Sequence, residues 1–278
     1  MSGAFLALLE SDAPPRRVPI TLRPPLKWAG GKRWQVPHLA PLWAAHSDCR
    51  LVEPFCGGMA VTLGLAPERA LLNDINPHVI NFYKWIQRGL VIADAMPNDK
   101  SEYYERRTRF NQLLMTGGID SAEAAGLFYY LNRTGYNGLC RFNRKGRMNV
   151  PFGRYDSIKY RTDFTDYRAL FSAWEFSHAD FERLDLDERD FVFADPPYDV
   201  EFTQYAQQRF DWGEQERVAE WLARHRGPVV LANQATPRIV RLYTSLGFSV
   251  RQLPAPRRIS CTGDRSAALE VLAIRNLR

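Results

Sequence analysis

Short apolar runs and amphipathic stretches alternate in two separate parts of the chain. In the first part, residues 51–52 lead into a glycine turn, and residues 60–63 begin a helix. The apolar residues 70–72 then end at the polar residues 73–76. Apolar runs of this length, bounded by Gly, Asn and Asp, predict buried strands. The next helix is expected over about residues 77–88, since proline is tolerated in a first helical turn.

The alternation resumes nearer the C-terminus. Residues 191–194 are entirely apolar and predict a buried strand. The other elements expected in this part are helices near 214–226 and 236–246 and strands near 228–232, 248–253 and 268–274. We expect the last two strands to pair antiparallel as a terminal hairpin.

The stretch of about 80 residues between these two parts breaks the alternation. It contains helical patterns over 101–115 and 121–132, followed by a loop rich in Gly and Asn. The sequence therefore predicts an α/β fold with helices on both faces of the sheet and an inserted, mainly helical lobe. The predicted divisions are a flexible leader over 1–24, a sheet domain over 25–90 and 171–278, and the lobe over 91–170.

Residues 53–74 have the layout of a nucleotide-binding α/β half. A strand runs into the turn Glu53-Pro54-Phe55-Cys56-Gly57-Gly58, a helix follows, and Asp74 comes at the end of the next strand. Glycines let a ligand approach the backbone of the turn, and the acid accepts hydrogen bonds from ribose hydroxyls. A glycine turn alone is a weak signal, which the acid at this distance strengthens.

The tetrapeptide Asp195-Pro196-Pro197-Tyr198 follows directly after the buried run. Two prolines fix φ and lack N–H groups, so the carbonyls of this extended loop are left to point into a cleft. Asp195 and the Pro196 carbonyl accept hydrogen bonds from an amino group, and Tyr198 offers a flat ring for stacking. By itself the tetrapeptide fits an ordinary strand-end turn equally well. Its context favours a site that holds the exocyclic amine of a planar heteroaromatic ring.

Composition limits the class of protein. With 278 residues and 45% hydrophobic content, the chain can form one large domain or a main domain with a lobe. No uninterrupted apolar stretch is long enough to span a membrane. The four cysteines lack CxxC or Cys/His spacing, which argues against a zinc site and for a reduced, cytoplasmic setting. His178 has no paired nucleophile and is interpreted as structural.

The net charge of +6 is concentrated in residues 132–168. This segment contains nine Lys and Arg against three acids, and it also contains seven aromatic residues. Basic residues interleaved with aromatics and asparagines predict a nucleic-acid-binding face. A solvated basic surface is the alternative, but it does not account for this concentration.

Six motifs together carry a family resemblance. They are Leu26-Lys27-Trp28-Ala29-Gly30-Gly31-Lys32, the turn that begins at Glu53, Leu72-Asn73-Asp74-Ile75-Asn76, Asn132-Arg133-Thr134-Gly135-Tyr136-Asn137-Gly138-Leu139-Cys140-Arg141, Asn149-Val150-Pro151-Phe152-Gly153 and the tetrapeptide that begins at Asp195. From Leu26 onward the chain resembles the DNA adenine N6-methyltransferases of the Dam type. The resemblance implies a Rossmann-like class I methyltransferase fold, S-adenosyl-L-methionine as methyl donor, and double-stranded DNA as substrate. It also implies a cytoplasmic monomer and leaves open a cognate restriction endonuclease as partner.

The resemblance assigns a set of residues to the methyl donor. They are Trp28, Lys32, Glu53, Phe55, Gly57, Asp74, Asp180 and Phe181. Asp74 is expected to bind the ribose, and the last two residues to hold the adenine ring of the donor. Trp28 is interpreted as a ligand contact, whereas ligand contact and core packing stay equally open for Phe55. The chain departs from the family at Met59, where a second glycine is frequent.

A second set is expected to contact DNA. Its members are Lys27, Tyr136, Asn137, Leu139, Arg141, Arg144 and Pro151. By the resemblance five of them read or intercalate at GATC, with Arg141 on a guanine and Leu139 or Pro151 at a thymine methyl. The other two are Lys27, which is expected to contribute a guanine contact, and Arg144, which is expected to hold a phosphate. Related enzymes that read longer sites containing GAT leave the outer bases open. Arg257 and Arg258 contact the DNA backbone in one interpretation and are solvated in the other.

The resemblance also implies the chemistry. The target adenine is flipped out of the duplex and stacks on Tyr198, while Asp195 and the Pro196 carbonyl accept hydrogens from N6. Direct displacement at the donor methyl then follows without a covalent enzyme intermediate. Cys56 and Cys140 lie in the donor turn and the DNA loop, and both are interpreted as structural rather than nucleophilic.

Four other classes of protein are alternatives to this interpretation. A cytosine N4-methyltransferase more often has serine in place of Asp195. An RNA adenine methyltransferase is disfavoured because the recognition loop resembles a reader of duplex DNA and no RNA-binding module with RNP-type aromatics is evident. A catalytically silent DNA-binding regulator is disfavoured by the intact tetrapeptide and donor turn. A restriction nuclease is disfavoured because no metal site of the PD…(D/E)xK kind is found.

Overall fold

The computed structural model describes residues 22–93, 95–199, 210–255 and 268–277. These residues form one seven-stranded sheet with the order β3-β2-β1-β4-β5-β7-β6. The strands are β1 (Leu51–Glu53), β2 (Ala70–Asn73), β3 (Trp174–Ser177), β4 (Phe191–Ala194), β5 (Val229–Gln234), β6 (Ser249–Ala255) and β7 (Ala268–Arg275). The first five strands run parallel, and β7 lies antiparallel between β5 and β6. The predicted α/β class and the terminal antiparallel pair are confirmed.

Helices cover the sheet on both faces. They are α1 (Val36–Ala44), α2 (Ala60–Leu65), α3 (Pro77–Arg88), α4 (Lys100–Met115), α5 (Ala122–Thr134), α6 (Thr165–Phe171), α7 (Trp212–Arg224) and α8 (Pro237–Ser245). The strand β4 shows why two faces are needed, because Phe191 and Phe193 enter one core while Val192 and Ala194 enter the other. A strand buried on both faces reads as a continuous apolar run, which is why this strand was predictable.

The helix α3 matches its predicted bounds because both of its ends carry local signals. The Asn76 side chain caps the N-terminus by accepting from the His78 backbone N–H at 3.0 Å, and Pro77 occupies the first helical position. Gly89 ends the helix in the left-handed conformation. The helices α5 and α6 pack on α3, so the predicted lobe shares a core with one face of the sheet.

Three elements have no counterpart among the predicted ones. The helix α1 carries two prolines, α6 is only seven residues long, and the edge strand β3 buries a single residue of four. None of them produces a long apolar or periodic pattern. The helix α6 straddles the predicted boundary at residue 170, and the division into a lobe and a sheet domain stays a prediction.

The predicted leader lies mostly outside the described residues. Where the description begins, Leu22 is buried in the core and the Arg23 carbonyl accepts a hydrogen bond from the Tyr167 hydroxyl at 2.6 Å. The end of the leader therefore packs on α6. Arg257 and Arg258 also lie outside the described residues. In the described ranges no helix has both the length and the apolar character needed to cross a membrane.

Candidate active site

The predicted site residues meet at one edge of the sheet. The strands β1 and β4 are neighbours, and β2 and β5 flank them on opposite sides. The carboxyl ends of β1, β2 and β4 carry Glu53, Asn73 and the loop that starts at Asp195. In open α/β sheets ligands bind where the strand order reverses in this way. The topology thus brings the glycine turn and the tetrapeptide together.

Hydrogen bonds and an ion pair connect the loop of residues 195–199, which contains the predicted catalytic residues, to the three elements α7, β5 and α8. The Gln215 amide of α7 donates to the Pro197 carbonyl at 2.8 Å. The Asn233 side chain of β5 accepts from the Asp199 backbone N–H at 3.3 Å, and the Asp199 carboxylate pairs with Arg238 of α8. Asn233 and Gln215 are both fully buried and hydrogen-bond each other at 2.9 Å. A fully satisfied buried network of this kind holds a loop rigidly.

Asp195 faces Lys32 across the site. The Lys32 ammonium lies 3.2 Å from one Asp195 carboxylate oxygen and 4.4 Å from the centre of the Tyr198 ring. The other carboxylate oxygen, Oδ1, is buried and has no hydrogen-bond partner among the described residues. Burial raises the pKa of Asp195 to about 6, against the opposing effect of Lys32. An unpaired buried acceptor is costly, so its presence points to a ligand that donates there.

Tyr198 is held through its hydroxyl. That group donates to the Glu270 carboxylate of β7 at 2.7 Å, and burial together with the charges of Asp195 and Glu270 raises the pKa of Tyr198. The phenol therefore stays neutral and its ring stays available for stacking. Lys32 was assigned to the methyl donor by resemblance, and the structure places its ammonium against Asp195 and Tyr198.

The glycine turn is built around Asp74 and Trp28. One Asp74 carboxylate oxygen accepts from the Gly57 N–H at 3.0 Å, and the other accepts from the Asn76 N–H at 2.8 Å. A Cβ atom on Gly57 would lie 2.4 Å from the Trp28 indole nitrogen, and the φ of Gly57 is +43°. The turn therefore requires glycine at position 57. These contacts link three of the predicted donor-binding residues.

Met59 stands where the family often has a second glycine, and the structure gives its backbone conformation. It is fully buried and adopts φ 54° and ψ 35°, the left-handed conformation that a glycine adopts easily. This conformation costs a residue with a side chain about 1–2 kcal/mol. In this chain the turn therefore has a left-handed residue that carries a side chain at position 59.

Glu53 lies beneath the turn as a buried acid. One of its carboxylate oxygens accepts from the Thr62 N–H at 2.7 Å and from the Thr62 hydroxyl. Burial raises the pKa of Glu53 to about 8, and the Thr62 hydrogen bonds oppose the rise. At neutral pH a carboxyl group with this pKa is mostly protonated.

An aromatic wall closes the other side of the turn. The Phe55 ring packs on Phe181 and Phe210 with centroid separations of 5.5 Å and 5.8 Å. Asp180 pairs with Arg217 at 2.6 Å, and this guanidinium lies 4.4 Å from the Phe181 ring centre. Both open interpretations of Phe55 are compatible with this position, because the side chain is only partly buried.

Asn132 fixes the predicted DNA-contacting loop to the segment at Lys27. This fully buried amide accepts from the Lys27 N–H and donates to the Lys27 carbonyl, both at 2.8 Å. It also donates to the Gly138 carbonyl at 3.1 Å. The Lys27 ammonium in turn donates to the Arg133 carbonyl at 2.8 Å and lies 3.5 Å from the Tyr155 ring centre. Burial, with the nearby Arg133 charge, lowers the pKa of Lys27 to about 8.

The remaining members of the DNA set surround one loop. The Tyr136 side chain is 50% exposed, and its backbone N–H donates to the Pro151 carbonyl at 2.9 Å. Asn137 has a left-handed φ of 52°. Arg141 donates to the side chain and the carbonyl of Asn149 at 2.9 Å and 3.1 Å. Leu139 is partly buried against the core, and Arg144 is exposed in the turn between the bridged residues Phe142 and Met148.

Four residues of the site were not found from the sequence. They are Gln35, Gln215, Asn233 and Glu270. Asn233 carried a weak signal, because it interrupts an apolar run in the same way as Asn73 and Asp195 do. The other three become site residues only through tertiary packing. Among the described residues no group of acidic, His and Cys side chains is arranged to hold a metal ion.

Comparisons with known proteins agree on one family. Residues 28–257 match the D12 class of N6 adenine-specific DNA methyltransferases. The chain is 35% identical over 269 residues to a DNA N-6-adenine-methyltransferase of Escherichia phage P1, covering 89% of this chain and 35% of the phage protein. It is 35% identical over 273 residues to a DNA adenine methylase of Vibrio cholerae, covering 90% of this chain and 94% of that protein. It is also 31% identical to the type II methyltransferase M1.LlaDCHI of Lactococcus lactis, covering 86% and 89% of the two chains.

Proposed function

This chain belongs to the D12 class of N6 adenine-specific DNA methyltransferases, as its motifs predicted, and we propose that it methylates adenine in GATC with S-adenosyl-L-methionine as donor. The observation that carries the proposal is the Asp195 loop. A buried, unpaired carboxylate oxygen and a tethered tyrosine ring lie beside a glycine turn at the strand-order reversal. An amino group on a flat ring, presented next to a nucleoside-containing donor, fits this arrangement.

The residues of the turn fit the proposed donor. Asp74 braces the backbone of Gly57 and lies at the end of β2, where a ribose would be held. Glu53 and the aromatic wall of Phe55 and Phe181 offer polar and flat surfaces. The donor supplies an electrophilic methyl group on a sulfonium. An aromatic and acidic lining suits a cation of this kind.

In the proposed reaction, the protein provides alignment and electrostatics. The target adenine leaves the duplex and stacks on Tyr198. Asp195 accepts one hydrogen of N6 and the Pro196 carbonyl accepts the other, so the N6 lone pair is turned out of ring conjugation toward the methyl group. Orientation of this kind can contribute about 7–11 kcal/mol of the barrier. The N–CH₃ bond forms as the S–CH₃ bond breaks, and the donor is left as the neutral thioether. N6 then gives its extra proton to the Asp195 carboxylate, which releases it to solvent, and no covalent enzyme intermediate is formed.

A pH dependence follows from the Asp195 site. Transfer is expected to fall as pH drops through about 6, because protonation of Asp195 removes the acceptor. Lys32→Met removes the cation that lowers the Asp195 pKa and so raises that pKa further, since burial and the Glu270 charge remain. The acid limb of kcat/KM should therefore move to higher pH, whereas Lys32→Arg should leave it in place. An acid limb that does not respond to Lys32→Met would contradict this role of Lys32.

Sequence reading is proposed for the loop around Arg141. The hydrogen bonds to Asn149 orient its guanidinium, which suits bidentate recognition of guanine O6 and N7. We expect Arg141→Ala to lose about 1–3 kcal/mol of discrimination at one guanine. Arg144→Ala is the matched control, because loss of a phosphate contact weakens all sites equally and lowers the salt slope by about one. Competition binding with single-base variants of GATC over a salt series measures both effects.

Two further predictions concern partners. The name of the Lactococcus relative, a type II methyltransferase, supports a cognate restriction endonuclease for this chain as well. A monomer in solution is proposed from the resemblance, and sedimentation of the purified protein checks it.

The proposed function is tested by transfer of a labelled methyl group to short duplexes. We expect incorporation into a duplex with one GATC site and none into a matched duplex in which both A·T pairs of the site are changed to G·C pairs, so that the site reads GGCC. Labelling of cytosine N4, or labelling of single-stranded RNA in preference to duplex DNA, would contradict the proposal.

A further inference from the structure

The carboxylate of Glu270 joins two parts of the active site that are far apart in the sequence. One of its oxygens accepts from the Tyr198 hydroxyl at 2.7 Å and from the Gln35 amide at 2.8 Å. Glu270 lies on β7, opposite Gln234 of β5. The antiparallel strand thus places an acid beside the loop that follows β4.

Gln35 holds the other side of this contact. Its side chain is fully buried, and its backbone N–H donates to the Lys32 carbonyl at 2.9 Å. Gln35 is therefore fixed to the same segment that places Lys32 against Asp195. Gln35 therefore holds the Glu270 carboxylate by one hydrogen bond, and that carboxylate accepts a second hydrogen bond from the Tyr198 hydroxyl.

The charge of Glu270 is unfavourable for Asp195. Its negative charge raises the Asp195 pKa and so opposes ionisation of the catalytic acid. An acid at this position accordingly needs a benefit that offsets this effect. The hydrogen bond to the phenol supplies one, because a ring that is tethered at its hydroxyl cannot swing about χ1.

We propose that Glu270 is a positioning residue that fixes the Tyr198 ring in the plane required by the flipped adenine, with Gln35 holding Glu270 in place. The inference rests on the proposed function, since it assigns the stacking of the target base to Tyr198. Glu270 does not contact the base itself. It acts through the tyrosine hydroxyl.

A double-mutant cycle tests this inference. Tyr198→Phe keeps the ring and removes the hydroxyl, and Glu270→Ala removes the acceptor. Each single variant is expected to lower kcat by about tenfold or more with little change in the KM for DNA, because misplacement of a reacting group by about 1 Å is costly. The double variant should be no slower than the slower single variant. Assays at pH 8 keep Asp195 ionised, so that the lost Glu270 charge does not add its own effect.

Two further variants complete the test. Glu270→Gln should retain most activity, since its amide oxygen still accepts from the tyrosine. Glu220→Ala, an exposed acid on α7, controls for loss of charge alone. Losses that multiply in the double variant would overturn the inference, as would full activity of Glu270→Ala. A wild-type protein that methylates no adenine would instead refute the proposed function.

Discussion

Asp195→Ala is expected to lower methyl transfer by about a thousandfold or more while the protein still binds DNA and donor. The reason is that Asp195 acts on the charge that develops at N6 during transfer, and removal of one such preorganised contact costs about 10²–10³ in rate. Loss of the aligned amino group adds to this effect. Single-turnover methylation, together with binding of donor and duplex measured separately, distinguishes the two functions.

The alanine variant has a structural side effect that needs its own control. The Lys32 side chain is only 6% exposed, and it would lose its counter-ion. Removing one partner of a buried pair destabilises a fold by about 3–5 kcal/mol. Asp195→Asn keeps the size and an oxygen near Lys32, and Asp185→Ala removes an exposed acid elsewhere. Substantial turnover in a folded Asp195→Asn protein would contradict the catalytic assignment.

Gly57→Ala is expected to abolish donor binding at concentrations that saturate the wild-type protein. Its new Cβ would lie 2.4 Å from the Trp28 indole nitrogen and 2.8 Å from an indole ring carbon. Trp28 must therefore move, and the turn braced by Asp74 moves with it. Overpacking of this kind costs about 1–3 kcal/mol, and the left-handed φ adds about 1–2 kcal/mol.

Gly117→Ala provides the matched control for this second prediction. Gly117 has φ +79°, and a Cβ atom there meets nothing within 4 Å. The Gly117→Ala variant therefore has the unfavourable left-handed φ but no steric clash of the new Cβ atom. Calorimetric titration with S-adenosyl-L-methionine and thermal unfolding of both variants separate donor affinity from stability. Equal donor affinity in the two variants would show that the contact between Gly57 and Trp28 is not needed for the site.

Local signals explain which parts of the fold were predictable from the sequence. The helix α3 has a cap, a proline and a terminal glycine, and β4 is apolar at every position. Strand β3 lacks such a signal, because an edge strand buries one side only. The α/β class and the terminal antiparallel pair followed from the alternation of elements and the family resemblance, whereas the order of the strands comes from the structure.

In the candidate site, too, only the parts that carry a local sequence signal were predictable. Motifs that are contiguous in the chain, such as the loop at Asp195 and the turn at Gly57, were visible as motifs. The supports of those motifs were not, because Gln215, Asn233 and Glu270 reach the loop from three separate elements. The ion pair between Lys32 and Asp195 likewise joins residues that are far apart in sequence. Only the packed fold brings such partners together.

The central claim is tested most directly by sequencing modified bases in DNA from a methylation-deficient host that expresses this chain. We predict N6-methyladenine at GATC throughout the genome, and none in a host that expresses Asp195→Asn at equal level. Methylation at a longer site containing GAT would retain the chemistry and correct the proposed sequence reading. No methylated adenine from soluble, folded wild-type protein would contradict the account.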